Sequence, residues 1–231
     1  MNVSLNEIEV TSRRAAVGAG YPQGIAEDAG AALRWLCATG LSGVEALLAA
    51  LATPGEPPRT PERNDTIWAW RPATSGGRLS ALLLGPCVAE WVEAAPTASP
   101  GRIVVEGLVA PLLFLPHAAR LAGEGSILVE WHGSDGAARL LIHGDELALA
   151  PGSVLLPVSP AEITMSLHPA AASAGLAPTP AAASRRAAIQ QGVTIADAAW
   201  QALVVLATLS FVPASAQSRL HGAGAGLVDD D

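Results

Sequence analysis

The spacing of apolar residues changes twice along this chain, and this change most constrains its fold. Between residues 4 and 53 the apolar positions recur at helical spacing, and they do so again between 184 and 209. Between about 65 and 168, short apolar runs are separated by glycine and proline, a pattern typical of strands. The sequence therefore predicts an α+β fold, with N- and C-terminal helices packed together against a mostly antiparallel β-rich middle.

Two segments rich in proline, alanine and polar residues divide the chain, at 53–64 and 169–183. We expect an N-terminal helical segment at 1–53, a β-rich middle at 65–168, and C-terminal helices with a glycine-rich acidic tail at 184–231. A chain of 231 residues is short enough for these three parts to form one composite domain.

The clearest local prediction is a β-hairpin around the turn Gly133-Ser134-Asp135-Gly136. If the turn centres between residues 134 and 135, Glu130 faces Arg139 as an opposite-charge pair across the strands. At the N-terminus, Ser4 and Glu7 have the spacing of a capping box at a helix start.

The charge and composition exclude several classes of function. All 13 basic residues are arginines and 21 residues are acidic, which gives a net charge of -8 and argues against a nucleic-acid partner. The absence of lysine excludes Schiff-base chemistry and the P-loop lysine. We find no signal peptide and no apolar run long enough to cross a membrane, so we expect a cytoplasmic protein with reduced thiols.

Two groups of reactive side chains give only weak evidence for a catalytic thiol or a metal site. Cys87 follows a predicted strand at Leu79–Leu84 and is predicted in the first turn of a helix, where the helix dipole would lower the thiol pKa. The alternative is a small buried thiol. Four side chains resemble metal ligands, namely His132, Asp135, His143 and Asp145. The hairpin separates His132 from His143 by roughly 20 Å at 3.3 Å per residue, and aspartates in turns usually bond turn backbone groups. We therefore predict no metal and no bound cofactor.

Two glycine-rich segments could expose backbone N–H groups to an anion. The first is the turn from Gly18 into the next predicted helix, where Tyr21 and Glu27 are the candidate ligand-binding side chains. The second is the C-terminal tail, whose candidate ligand-binding residues are Arg219, His221, Gly222, Gly224 and Gly226. The alternatives are an ordinary turn between helices and a loosely docked tail.

Both ends of the chain resemble one family. The residues that carry the resemblance at the start are Met1–Glu9, Ala15–Tyr21 and Gly24–Glu27. At the end they are Val212-Pro213-Ala214-Ser215, Ser218-Arg219 and Gly222-Ala223-Gly224-Ala225-Gly226-Leu227, with Asp229 and Asp231. They resemble DUF3726, a family of bacterial proteins of unknown function. Val228 and Asp230 stand where the family ending has threonine and asparagine, so a hydroxyl and an amide are missing here. The resemblance implies no activity, but it indicates that both ends of the chain matter more than their composition alone suggests.

Two interpretations of function follow. We favour a non-catalytic accessory subunit that acts through a partner surface, as a homo-oligomer or on another protein, because no nucleophile, base and orienting group can be assembled from the sequence. The alternative is a small-molecule enzyme or binding protein. Its pocket for a small anionic metabolite would form where the N-terminal glycine turn meets the Arg219–Gly226 tail.

Overall fold

The computed structural model describes residues 1–64, 66–95, 101–123, 125–144, 146–156, 161–167 and 175–211. They form helices and a large sheet, which confirms the predicted α+β fold. The helices are α1 (Leu5–Gly18), α2 (Gln23–Ala38), α3 (Gly43–Ala52), α4 (Ala81–Glu93), α5 (Leu115–Ala122), α6 (Ala181–Gln191) and α7 (Asp197–Thr208), with a 3-10 turn (Pro111–Phe114) before α5. The strands are β1 (Asn2–Val3), β2 (Glu62–Arg63), β3 (Ile67–Trp70), β4 (Leu79–Ser80), β5 (Arg102–Val109), β6 (Ser126–Gly133), β7 (Gly136–His143), β8 (Glu146–Leu149), β9 (Ala161–Leu167), β10 (Ala177–Pro178) and β11 (Val193–Thr194).

The helices from the two ends of the chain pack together, as predicted. Helix α7 lies against α1, and β1 pairs with β11 beside them. A β-carbon on Gly18 would lie 2.1 Å from the carbonyl oxygen of Leu206, so the missing side chain allows α1 and α7 to approach closely. The capping box is also confirmed, because the Glu7 N–H donates to Ser4 Oγ at 3.2 Å and the Ser4 N–H donates to Glu7 Oε2 at 2.9 Å.

The large sheet has the strand order β10-β8-β7-β6-β9-β5-β3-β2, and β4 pairs with β5 beside this path. Its pairs are antiparallel except β3 with β5 and β4 with β5, which confirms the mostly antiparallel middle. The β6–β7 hairpin has the predicted register. Glu130 lies opposite Arg139, with 3.0 Å between Glu130 Oε1 and Arg139 Nε.

Helix α4 begins earlier than the sequence predicted. We expected a strand over Leu79–Leu84, but the strand ends at Ser80 and the helix starts at Ala81. The reason is that α4 is buried on several sides, and its buried residues include Leu82, Leu84 and Val88. A continuous apolar run has no periodicity that distinguishes a buried strand from a buried helix.

Helices α4 and α5 lie between the sheet and the N-terminal helices. Helix α5 contacts β6 and β7, while α2 contacts both α4 and α5. Trp70, Phe114 and Trp131 are among the largest fully buried side chains of this core. Among the described residues, no helix is long and apolar enough to cross a membrane. The packing brings one face of α2 against α4 and α5, and this junction positions the candidate site.

Candidate functional site

Two of the predicted ligand-binding residues lie at the start of α2. Tyr21 is half-buried in the α1–α2 turn, and its hydroxyl is 3.5 Å from the Ser80 hydroxyl at the start of α4. Glu27 is exposed and accepts a hydrogen bond from Gln23 Nε2 at 3.0 Å. The other five, Arg219, His221, Gly222, Gly224 and Gly226, lie outside the described residues. Their meeting with the turn therefore stays a prediction.

Titratable side chains from three helices lie next to Glu27. We call this group the helix junction and define it by Asp28 on α2, Glu90 and Glu93 on α4, and His117 and Arg120 on α5. Burial raises the pKa of the half-buried Asp28 carboxyl. The nearby Arg120 charge opposes this effect, and the charges of Glu90 and Glu27 add to it. The Arg120 Nε atom lies 3.0 Å from Glu93 Oε1.

His117 is the most buried titratable group of the helix junction, with 8% of its surface exposed. Burial lowers its pKa to about 4, and the positive charge of Arg120 acts in the same direction. The imidazole is therefore neutral at neutral pH. Within the part of the chain that the structure describes, its ring nitrogens have no hydrogen-bond partner. A neutral imidazole can both donate and accept a hydrogen bond.

Cys87 does not have the environment that the sequence predicted. Because α4 starts at Ala81, Cys87 lies in the middle of the helix, away from the N–H groups at its start. Burial raises the thiol pKa, and the negative charge of Glu90 raises it further. The prediction of a thiolate stabilised by a helix N-terminus is therefore wrong.

The helix junction combines three chemical capacities. A carboxyl with a raised pKa exchanges protons more readily near neutral pH than an ordinary one. A guanidinium binds carboxylates through several N–H donors, and a neutral imidazole can hydrogen-bond a carbonyl or hydroxyl. Among the described residues, no group of three or more His, Cys, Asp or Glu side chains is placed to hold a metal ion.

Glu27 was predicted from the sequence, and its role stays a prediction, whereas Asp28, His117 and Arg120 were not predicted as a group. Asp28 lies on α2 and the other two lie on α5, dozens of positions away, and no spacing rule connects Asp28 to them. The one local signal was the i, i+3 spacing of His117 and Arg120, which places them on one face of a helix.

Comparison of sequences supports the family resemblance. The sequence model of DUF3726, a family described as proteins of unknown function, matches residues 3–76. The resemblance to DUF3726 is confirmed over this range. The match covers α1, α2 and α3, and so includes Tyr21, Glu27 and Asp28. No curated protein matches the chain.

Comparison of structures identifies the fold. Malate dehydrogenase from Pyrococcus horikoshii OT3 aligns with a TM-score of 0.62 at 11% identity, over 93% of this chain and 97% of its own. Sulfolactate dehydrogenase from Methanocaldococcus jannaschii gives 0.61 at 8% identity, over 91% and 97%. A dehydrogenase from Sinorhizobium meliloti gives 0.60 at 11% identity, over 90% and 99%. At these identities the likeness establishes a shared fold.

This likeness corrects our favoured interpretation. We expected a non-catalytic accessory subunit, but the chain aligns over 90% or more of its length with proteins that are named dehydrogenases. The accessory interpretation is therefore wrong, and the alternative of a small-molecule enzyme or binding protein agrees better with the fold.

Proposed function

We propose that this chain is a small-molecule enzyme of the oxidoreductase class, acting on a small hydroxy or oxo carboxylate. The observation that carries the proposal is the fold, which is shared almost end to end with malate and sulfolactate dehydrogenases. Malate and sulfolactate are both 2-hydroxy acids. Their oxidation requires a cation for the carboxylate, a proton acceptor for the hydroxyl and a hydride acceptor.

The helix junction offers the first two of these groups. Arg120 is half-exposed and shares one contact with Glu93, so its other N–H donors can bind a substrate carboxylate. Asp28 has a raised pKa, which suits a carboxyl that takes and returns the hydroxyl proton. His117, neutral and beside Arg120, would hydrogen-bond the carbonyl or hydroxyl oxygen. The predicted anion site at Tyr21 and Glu27 borders this region, because Glu27 and Asp28 are adjacent on α2.

The described residues do not identify the third required group, the hydride acceptor. Nicotinamide dinucleotides are usual hydride carriers, and the chain has no Gly-x-Gly-x-x-Gly segment of the kind that binds them in doubly wound folds. The assay must therefore test NADH and NADPH side by side. We retain the cytoplasm as the proposed location.

A direct assay tests this proposal. Purified protein is mixed with NADH or NADPH and with oxaloacetate, pyruvate or sulfopyruvate, and the loss of reduced nicotinamide is followed by absorbance. We expect turnover with at least one acid, and a raised KM for that acid in Arg120→Gln. In Asp28→Asn we expect kcat to fall by roughly 10²- to 10⁴-fold, the usual contribution of general acid–base catalysis.

The control is Arg59→Gln, which removes an exposed arginine from the loop before β2 and should leave both constants unchanged. The proposal fails if no acid is turned over with either nucleotide and none raises the melting temperature. If turnover is unchanged in both Arg120→Gln and Asp28→Asn, the protein is still an oxidoreductase, but its active site lies elsewhere.

A further inference from the structure

A groove runs across the start of α1, the middle of α2 and the end of α6. It consists of two cavities of about 510 and 350 Å³ that share the lining residues Leu5, Arg34 and Ile189. Each cavity is within the size range of small-molecule sites. Six positions separate Asp28 from Arg34 on α2, which places them on different faces of the helix at 3.6 residues per turn. The groove is therefore distinct from the helix junction.

The smaller of the two cavities has mainly apolar walls, which suit a flat ring. Trp35 is half-buried and lines it, and Ala31 and Ala38 leave room above the helix. Ile189 on α6 lines both cavities with 69% of its surface exposed, although it is a large apolar side chain. Water contact at such a side chain is unfavourable, and a ligand with an apolar body would relieve it.

The charge in the groove is positive on a chain that is acidic as a whole. Arg34 and Arg185 both line it, whereas the net charge of the protein is -8. Glu9 is the acidic residue of the lining, and its Oε2 lies 2.7 Å from Arg34 Nη1. Both partners of this ion pair are partly exposed, at 53% for Arg34 and 36% for Glu9. An exposed pair of this kind is weak, so an incoming carboxylate can compete with Glu9 for the guanidinium.

We propose that this groove binds an organic anion with a flat, apolar body. The body lies against Trp35 and Ile189, and the anionic group contacts Arg34 in place of Glu9. This inference does not depend on the proposed enzyme activity, and the site is separate from the one that would carry it.

The probe for this site is 2-naphthoate, compared with the neutral 2-naphthamide and with acetate, each titrated by calorimetry into the full chain. We expect saturable binding of naphthoate at one site, with the amide and acetate at least about tenfold weaker, because one lacks the charge and the other lacks the ring. Equal binding of the neutral amide would overturn the role of the arginine. The absence of saturable naphthoate binding would overturn the site.

Three variants move the affinity in different directions. Arg34→Gln should weaken naphthoate binding about tenfold or more, through loss of the charge-assisted hydrogen bond. Glu9→Gln should strengthen it, because the competing carboxylate is gone. Ala31→Phe should block it by filling the groove from an exposed position on α2. Arg59→Gln is the control and should change nothing.

The opposite signs expected for Arg34→Gln and Glu9→Gln separate this proposal from a general effect on folding. Circular dichroism and melting temperature confirm that each variant is folded. If Glu9→Gln weakens binding, or if Ala31→Phe leaves it intact, the anion binds elsewhere on the protein and the proposal is wrong. Enzyme assays are not part of this test, so a failure here leaves the proposed dehydrogenase activity untouched.

Discussion

The imidazole of His117 packs directly against the backbone of Gly85. A β-carbon at Gly85 would lie 2.4 Å from His117 Cδ2 and 2.8 Å from Nε2, closer than such atoms approach in proteins. Glycine in a helix costs about 1 kcal/mol relative to alanine. At this position the absence of a side chain makes room for the ring between α4 and α5, and so places His117 in the helix junction.

Substitution of Gly85 by alanine should therefore destabilise the protein, although alanine is the better helix former. We expect the free energy of unfolding to fall by about 1–3 kcal/mol, the usual cost of overpacking a core. The control is Gly24→Ala at the start of α2, where a β-carbon meets nothing within 4 Å. Urea denaturation measures both. Combining Gly85→Ala with His117→Ala should recover most of the loss, and an additive double variant would refute the contact.

The buried imidazole also predicts a pH dependence of stability. The pKa of His117 is lowered from 6.5 to about 4 in the folded protein. Between these values the unfolded chain binds the proton more tightly, so stability is present above pH 6.5 and is lost as pH falls towards 4. The loss attributable to this group is at most roughly 3 kcal/mol.

Unfolding free energies measured between pH 7 and 4 (by urea titration) test this expectation. In His117→Leu the slope of stability against pH should be shallower than in the wild type. In the exposed, non-titrating control Thr60→Ala the slope should be unchanged. Parallel curves for the wild type and His117→Leu would mean that the imidazole is not held neutral by burial.

Local sequence signals predicted much of this fold. The Ser4–Glu7 capping box and the Glu130–Arg139 register depend on residues close in sequence, and both were confirmed. The start of α4 was not predicted, because the apolar run after Leu79 fits a buried strand and a buried helix equally well.

The helix junction could not be predicted for a different reason. Asp28 lies near Arg120 only because α2 packs against α4 and α5, and this packing depends on contacts distant in sequence. Burial also shifts the pKa values of Asp28 and His117, and burial is a property of the folded chain. Of the residues predicted from glycine-rich segments, Glu27 lies beside Asp28 and Tyr21 lies near Ser80 at the start of α4. Their ligand-binding role stays a prediction.

The capping box should contribute measurably to stability. Ser4→Ala removes the oxygen that accepts the Glu7 N–H, and we expect a loss of about 1 kcal/mol in the free energy of unfolding. Thr60→Ala, at an exposed position outside the helices and strands, is the control and should have almost no effect. Chemical denaturation of the three proteins makes the comparison. A loss no greater than that of the control would mean that the start of α1 is held by the β1–β11 pairing instead.

The two thiols should react slowly with an alkylating agent, because only the thiolate is nucleophilic. Burial raises the pKa of Cys37 to about 11, and 5% of that residue is exposed. Burial and then the charge of Glu90 raise the pKa of Cys87, which is less deeply buried.

Limited iodoacetamide treatment at neutral pH, followed by mass spectrometry, should therefore label Cys87 before Cys37, and both more slowly than free cysteine. Glu90→Gln should accelerate labelling of Cys87 and leave Cys37 unchanged, whereas Glu146→Gln, on the distant strand β8, should affect neither. Labelling of Cys87 faster than free cysteine would indicate a stabilised thiolate. It would also restore the thiol as a candidate nucleophile next to the helix junction.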